Sequence, residues 1–143
     1  MIEVKVLGLE ELKARLRRLP AEMQQGPVKG AIGAAGRVVQ KEAKLRAPVR
    51  TGTLKRAIYV TRSKSLSTGN RETAIVGVRS GKKYQKRKQD AWYWRFVEFG
   101  IPQMGAQPFL RPAFEGTKTA QIRAFKVYLE KGLDRVVKKL GGR

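Results

Sequence analysis

A chain of 143 residues, 41% of them apolar, has the size of one ordinary domain and can bury a core without staples. It carries 32 Lys and Arg against 11 Asp and Glu, a net charge of +21. The absence of Cys and His excludes disulfides, zinc ribbons, cysteine nucleophiles, imidazole bases and histidine-ligated metals.

No stretch reaches the ~18–20 consecutive apolar residues that a membrane span needs. Residues 1–8 lack the apolar run of a secretory signal. The charge points to a polyanion or to strongly acidic protein partners, against the plainer reading of a solvated basic surface.

In chain order, residues 2–6 (IEVKV) alternate and predict a strand with Ile2, Val4 and Val6 on one face, ended by Gly8. Leu9, Leu12, Leu16 and Leu19 predict an amphipathic helix, acidic in its first turn and basic in its last, stopped or kinked by Pro20. A longer helix is expected after Pro27, running to about Arg46, with a stripe of Val28, Ile32, Ala35, Val39 and Ala43. Gly30, Gly33 and Gly36 cost about 1 kcal/mol each against Ala in a helix interior, which predicts close packing there. Their spacing is wrong for a dinucleotide motif.

Pro48 ends that helix. Residues 50–56 predict a turn and one helical turn, with Thr53 as its N-cap. Residues 57–63 and 73–78 are β-branched, and the polar loop 64–72 between them implies an antiparallel hairpin. Residues 79–90 (RSGKKYQKRKQD) follow. Six are basic (Arg79, Lys82, Lys83, Lys86, Arg87 and Lys88) and one is acidic, a pattern that predicts a mobile loop or interaction arm touching DNA or an acidic partner. One Tyr among them is too few for base stacking, and no nucleic-acid motif is visible.

Residues 91–99 (AWYWRFVEF) predict a short helix closed by Gly100. A strand would bring Glu98 onto one face with Trp92, Trp94 and Phe96, a less comfortable arrangement. Residues 101–108 read as an irregular linker. The last helix is expected from about Phe109 to Leu140, with Pro112 in its first turn and a bend or restart at Gly116–Thr117. Its stripe is Ile122, Phe125, Leu129, Val136 and Leu140, with Leu133 beside it; residues 141–143 form a flexible tail. The expected fold is one α+β domain over residues 1–143: a small antiparallel β-sheet packed against helices, with a long C-terminal helix.

The chemistry-bearing residues are sparse. The carboxylates are scattered except Glu10 and Glu11, which diverge around their helix. Glu98 is expected to form a half-buried ion pair with Arg111 that fixes the linker between the aromatic helix and the last one. Aromatics are enriched at binding hot spots, and Trp92, Trp94, Phe99 and Phe109 are the candidate interface residues.

Three ordered segments carry a resemblance: residues 47–58 (APVRTGTLKRAI), 96–100 (FVEFG) and 106–113 (AQPFLRPA), supported by residues 6–12 (VLGLEEL). Together they resemble the gene-product-ten-like family of head–tail joining proteins of long-tailed phages, also called neck, tail-completion or minor tail (Z-like) proteins. The resemblance spans residues 4 to about 140 (all but the chain ends). It implies a virion structural protein at the head–tail junction, assembled in the host bacterial cytoplasm, without catalysis, metal or cofactor. It also implies a homo-oligomeric ring matching the tail's symmetry, expected to be six-fold. Its neighbours would be head-completion and tail-terminator proteins, with packaged DNA as a further contact and no membrane. Ile101 stands where the family often has Thr, and the basic insertion at 81–89 is longer and more charged than the family pattern. The competing classes are a small basic nucleic-acid-binding protein and a small enzyme using carboxylates or Lys.

Overall fold

A computed structural model describes residues 8–19, 21–68 and 71–141, apart from the side chains of residues 21 and 22. The strand expected over residues 2–6, the stop at Pro20 and the end of the tail lie outside the described residues. The elements are α1 (Leu9–Arg17), α2 (Ala21–Arg46), α3 (Thr53–Ala57), β1 (Ile58–Arg62), β2 (Ala74–Val78), α4 (Trp94–Phe99), α5 (Leu110–Gly116) and α6 (Lys118–Gly141). A 3-10 turn, Lys82–Arg87, separates β2 from α4. The protein is mostly helical, with a two-stranded antiparallel sheet packed on helices and a long C-terminal helix.

Contacts divide the chain into two compact units. The first comprises residues 1–35, 62–74 and 119–143, and the second residues 36–61 and 75–118.

In the first unit, α1 places Leu12 in a core with Ala31, Leu129 and Leu133, and Leu16, Leu19, Val28 and Phe125 pack around it. Leu133 is therefore central to the α6 stripe rather than beside it, and Leu140 is exposed. Arg15 pairs with Asp134 at 2.7 Å.

Helix α2 starts six residues before the expected Pro27. A proline inside a helix removes one amide donor, here the partner of the Met23 carbonyl. Pro27 is buried, and a Cβ placed on Gly132 would lie 3.0 Å from its Cα and Cβ. Only glycine at 132 lets α6 come so close to that ring. The glycine spacing of α2 is not explained uniformly by packing, because nothing lies within 4 Å of a Cβ added at Gly30.

Where the chain leaves β1, charge ties it to the residues that lead into β2. Arg62 donates Nε to Glu72 Oε2 at 2.6 Å and Nη2 to Oε1 at 3.1 Å, a bidentate pair. The Arg62 hydrogen bond holds the Glu72 carboxyl below the usual carboxylate range, with help from the Arg62 charge, Ser67 and Lys29, against the opposing pull of burial.

In the second unit the Arg79 amide, just after β2, donates to the Ala57 carbonyl, just before β1, which sets the hairpin register. Alternate residues then face opposite ways. Ile58, Val76 and Val78 join Val39, Ala43, Ala47, Leu54, Ala57, Ala91, Phe109 and Ala113 in the core. On the other face the Tyr59 ring covers Gly77, and the Arg79 guanidinium sits 5.3 Å from that ring. Helix α3 begins after Gly52, so the N-cap expected at Thr53 is one residue late. The Thr51 hydroxyl accepts the Thr53 amide instead, at 3.4 Å.

The C-terminal helix is two helices, broken at Thr117 (φ −118°, ψ 17°) beside Gly116. The Thr117 hydroxyl donates to the Ala113 carbonyl at 2.6 Å, closing α5.

Candidate interaction site

The residues of the three motif segments meet in the second unit. The first supplies a turn. Thr51 and Thr53 hydroxyls bond at 2.9 Å, and Leu54 and Ala57 point into the core. The Arg56 guanidinium folds back over the turn, donating to the Thr51 carbonyl at 3.4 Å and the Thr53 hydroxyl at 3.5 Å.

The second segment is α4, and its chemistry hinges on Glu98. This carboxylate is buried, 7% exposed, yet its partner is not the Arg111 guanidinium. Glu98 Oε2 accepts the backbone amides of Phe109 at 2.7 Å and Leu110 at 3.0 Å, and Oε1 accepts that of Arg111 at 3.0 Å. These are amides at the start of α5, which have no partner within their own helix. A carboxylate there satisfies them and complements the helix dipole. The expected ion pair is thus replaced by a cap delivered from another helix. The Arg111 guanidinium pairs instead with Glu115 at 3.2 Å on the surface.

Gly100 ends α4 at φ 76°, and a Cβ there would stand 2.8 Å from the Ala106 amide nitrogen. The Ile101–Met104 turn follows, and the Gln107 amide donates to the Val97 carbonyl at 2.8 Å. The linker 101–108 is therefore pinned at both ends.

With α4 fixed, its faces separate. Tyr93, Trp94 and Val97 pack against the core. Trp92 (66% exposed), just before α4, and Phe96 (46%) and Phe99 (75%) on it face outward; the helix expected over 91–99 begins only at Trp94. Trp92 meets Tyr93 and Phe96 edge-on, with ring centroids 5.7 and 6.2 Å apart. Of the four candidate interface aromatics, Trp92 and Phe99 are open and Trp94 is half-buried. Phe109 is fully buried, so it is a core residue: a side chain with no exposed surface gains nothing from association.

A cleft of about 580 Å³ opens beside these rings, lined among others by Pro48, Thr51, Phe96, Val97, Ile101 and Met104. Arg50 and Trp92 also line it. Sequence reasoning missed the cleft. Its trace in the linker was Ile101 and Met104, two large apolar residues in a segment that reads as irregular.

The basic segment is ordered rather than a free arm. The Asp90 carboxylate accepts the Gly81 amide at 2.7 Å and the Gln85 side-chain amide at 3.2 Å. The Ala91 amide donates to the Arg79 carbonyl, closing the loop at its base. Lys88 takes a left-handed conformation, φ 54°, and its carbonyl accepts Arg56 Nε at 3.4 Å. Arg79 is half-buried over Tyr59 and leaves the exposed set, while Lys82, Lys83, Lys86, Arg87 and Lys88 stay exposed. Among the described residues, none of those five has a carboxylate within ion-pair reach.

Among the described residues no group of three or more carboxylates could hold a metal ion, and no helix is long and apolar enough to cross a membrane. The cleft is lined mainly by apolar side chains, with Arg50 as the cation among its lining residues.

The family described as "Bacteriophage HK97-gp10, putative tail-component" matches residues 10–100, well over half of the chain. The chain belongs to this family of phage structural tail components. The match covers the APVRTGTL and FVEFG segments and stops before α5. No curated protein and no solved structure matches the chain significantly.

Proposed function

We propose that this protein is a structural component of the head–tail junction, a neck or tail-completion protein that joins a finished tail to a DNA-filled head and catalyses nothing. One observation chiefly supports this reading: the motif segments converge on an exposed aromatic face and cleft with no carboxylate lining it. Such a face suits docking rather than chemistry. The chain would work in a closed, six-fold ring between head-completion and tail-terminator proteins, built in the host cytoplasm. Lys82, Lys83, Lys86, Arg87 and Lys88 would face the DNA passage, where neutralising phosphates releases counterions.

Electron microscopy of lysates from phage lacking this chain tests the reading. Filled heads and finished tails should accumulate unjoined. Normal virions, or an absence of tails, would contradict it.

The ordered basic turn favours one second reading, a stand-alone nucleic-acid-binding protein. That protein would bind duplex DNA tightly as a monomer, with affinity collapsing as salt rises.

A further inference from the structure

We propose that the cleft of the second unit is a docking groove for an acidic, apolar segment of a different protein. This rests on the junction reading above and specifies the chemistry of the partner.

The lining sets the first requirement. The cleft volume of about 580 Å³ falls within the range of sites that bury a ligand or a few anchoring side chains. Phe96, Ile101 and Met104 offer apolar walls, and the flexible thioether of Met104 can adapt to a branched or aromatic anchor. Trp92 supplies a large exposed ring at the mouth. The occupant must therefore present apolar side chains.

The rim sets the second requirement. Arg50 lines the cleft with Thr51 and Gly52, and Arg56, just outside the lining, donates to the Thr51 carbonyl and the Thr53 hydroxyl of the same turn. No carboxylate lines it, because Glu98 is turned inward to the amides of α5. Anchors flanked by Asp or Glu would place their carboxylates against these guanidinium groups, a pairing suited to Arg geometry.

The charge of the chain argues against the obvious rival, a second copy seated in this cleft: the first unit carries sixteen Lys and Arg against seven Asp and Glu. The second unit carries sixteen Lys and Arg against four Asp and Glu. All four acids already have internal partners: Glu42 with Arg46, Asp90 with Gly81 and Gln85, Glu98 with α5, and Glu115 with Arg111. Another copy of this surface brings like charge to like charge. A polynucleotide satisfies the guanidinium groups but leaves the apolar walls unfilled. An acidic apolar segment satisfies both.

The test is calorimetric titration of the intact chain with a short synthetic peptide of alternating Leu and Glu around a central Phe. A counterpart with Lys for every Glu serves as control. Phe96→Ser and Arg50→Ser probe wall and rim, Lys139→Ser in the first unit is the neutral variant, and circular dichroism checks that each is folded. The Glu peptide should bind saturably and shift tryptophan fluorescence to the blue. Each cleft variant should weaken it by about tenfold or more, Lys139→Ser should not, and the Lys peptide should not bind.

Equal binding of both peptides, indifference to both cleft variants, or no binding of the Glu peptide would overturn the proposal. So would self-association of the chain alone that shields Trp92, because the occupant would then be a second copy. A chain that ignores the acidic peptide yet joins heads to tails overturns this assignment alone. A chain that binds it yet is dispensable for joining overturns the junction reading alone.

Discussion

The carboxylate of Glu98 accepts the backbone amide of Phe109 at 2.7 Å, tying the aromatic helix to the start of the next one across eleven residues. The same side chain takes the amides of Leu110 and Arg111. The bond is buried on both sides, since Phe109 has no exposed surface and Glu98 very little. It holds the linker 101–108, and with it Ile101 and Met104 at the cleft.

Replacement of Glu98 tests this cap. Glu98→Gln removes the charge and turns one acceptor oxygen into a donor facing amide hydrogens. The expected loss is about 2–3 kcal/mol, from weakened charge-assisted bonds and a buried amide left unpaired. Arg111→Ser should change stability by less than about 0.5 kcal/mol, because its guanidinium pairs with Glu115 on the surface, where side chains are 82% and 55% exposed. Denaturant unfolding of both variants is the check, and the reverse order would restore the ion pair to importance.

Phe109→Ala should lose about 3–5 kcal/mol by opening a cavity in the second unit's core. Trp92→Ser, at an exposed ring, should stay within about 0.5 kcal/mol of the parent while weakening assembly. Equal destabilisation by both would contradict the division between core and contact face.

Gly100→Ala combines a left-handed backbone with a Cβ 2.8 Å from the Ala106 nitrogen, so it should cost about 1–3 kcal/mol or more. Gly105→Ala, with nothing within 4 Å, should be nearly neutral. Thermal melting of the pair separates the two outcomes.

The Arg62–Glu72 pair gives stability a pH dependence. Glu72 is held below the ordinary 4.5, so the folded state binds its proton less readily than the unfolded state. Its contribution is full above that value and is lost as pH falls through the lowered folded value. Glu72→Gln should therefore flatten the fall in melting temperature on the acid side. An unchanged acid limb would show that the pair adds nothing.

Replacing Lys82, Lys83, Lys86, Arg87 and Lys88 with Gln should reduce the salt dependence of duplex DNA binding by a slope of about 4.5, if each cation meets a phosphate. The melting temperature should hold or rise, because like-charge repulsion is removed. An unchanged salt slope would show that these side chains do not face DNA.

The elements written in local pattern were legible in the sequence. The leucine spacing placed α1, the β-branched runs flanking a polar loop placed the hairpin, and Gly100 marked the end of α4. What escaped depends on distant partners. Pro27 sits inside α2 because Gly132, far along the chain, leaves room for its ring. Glu98 invites pairing with a nearby Arg in the sequence, but its true partners are backbone amides, which no residue letter reveals. Phe109 and Phe99 look alike as letters, yet one fills the core and the other faces outward. The basic run reads as a repelling arm until Asp90 is seen tying its two ends together.

The central claim is tested most directly by adding the purified chain to separated filled heads and finished tails from phage that lack it, and counting joined particles by electron microscopy. The account predicts that joining is restored by the parent chain and lost with Phe96→Ser. Heads and tails that join equally well without the chain, or that the parent chain fails to join, would contradict it.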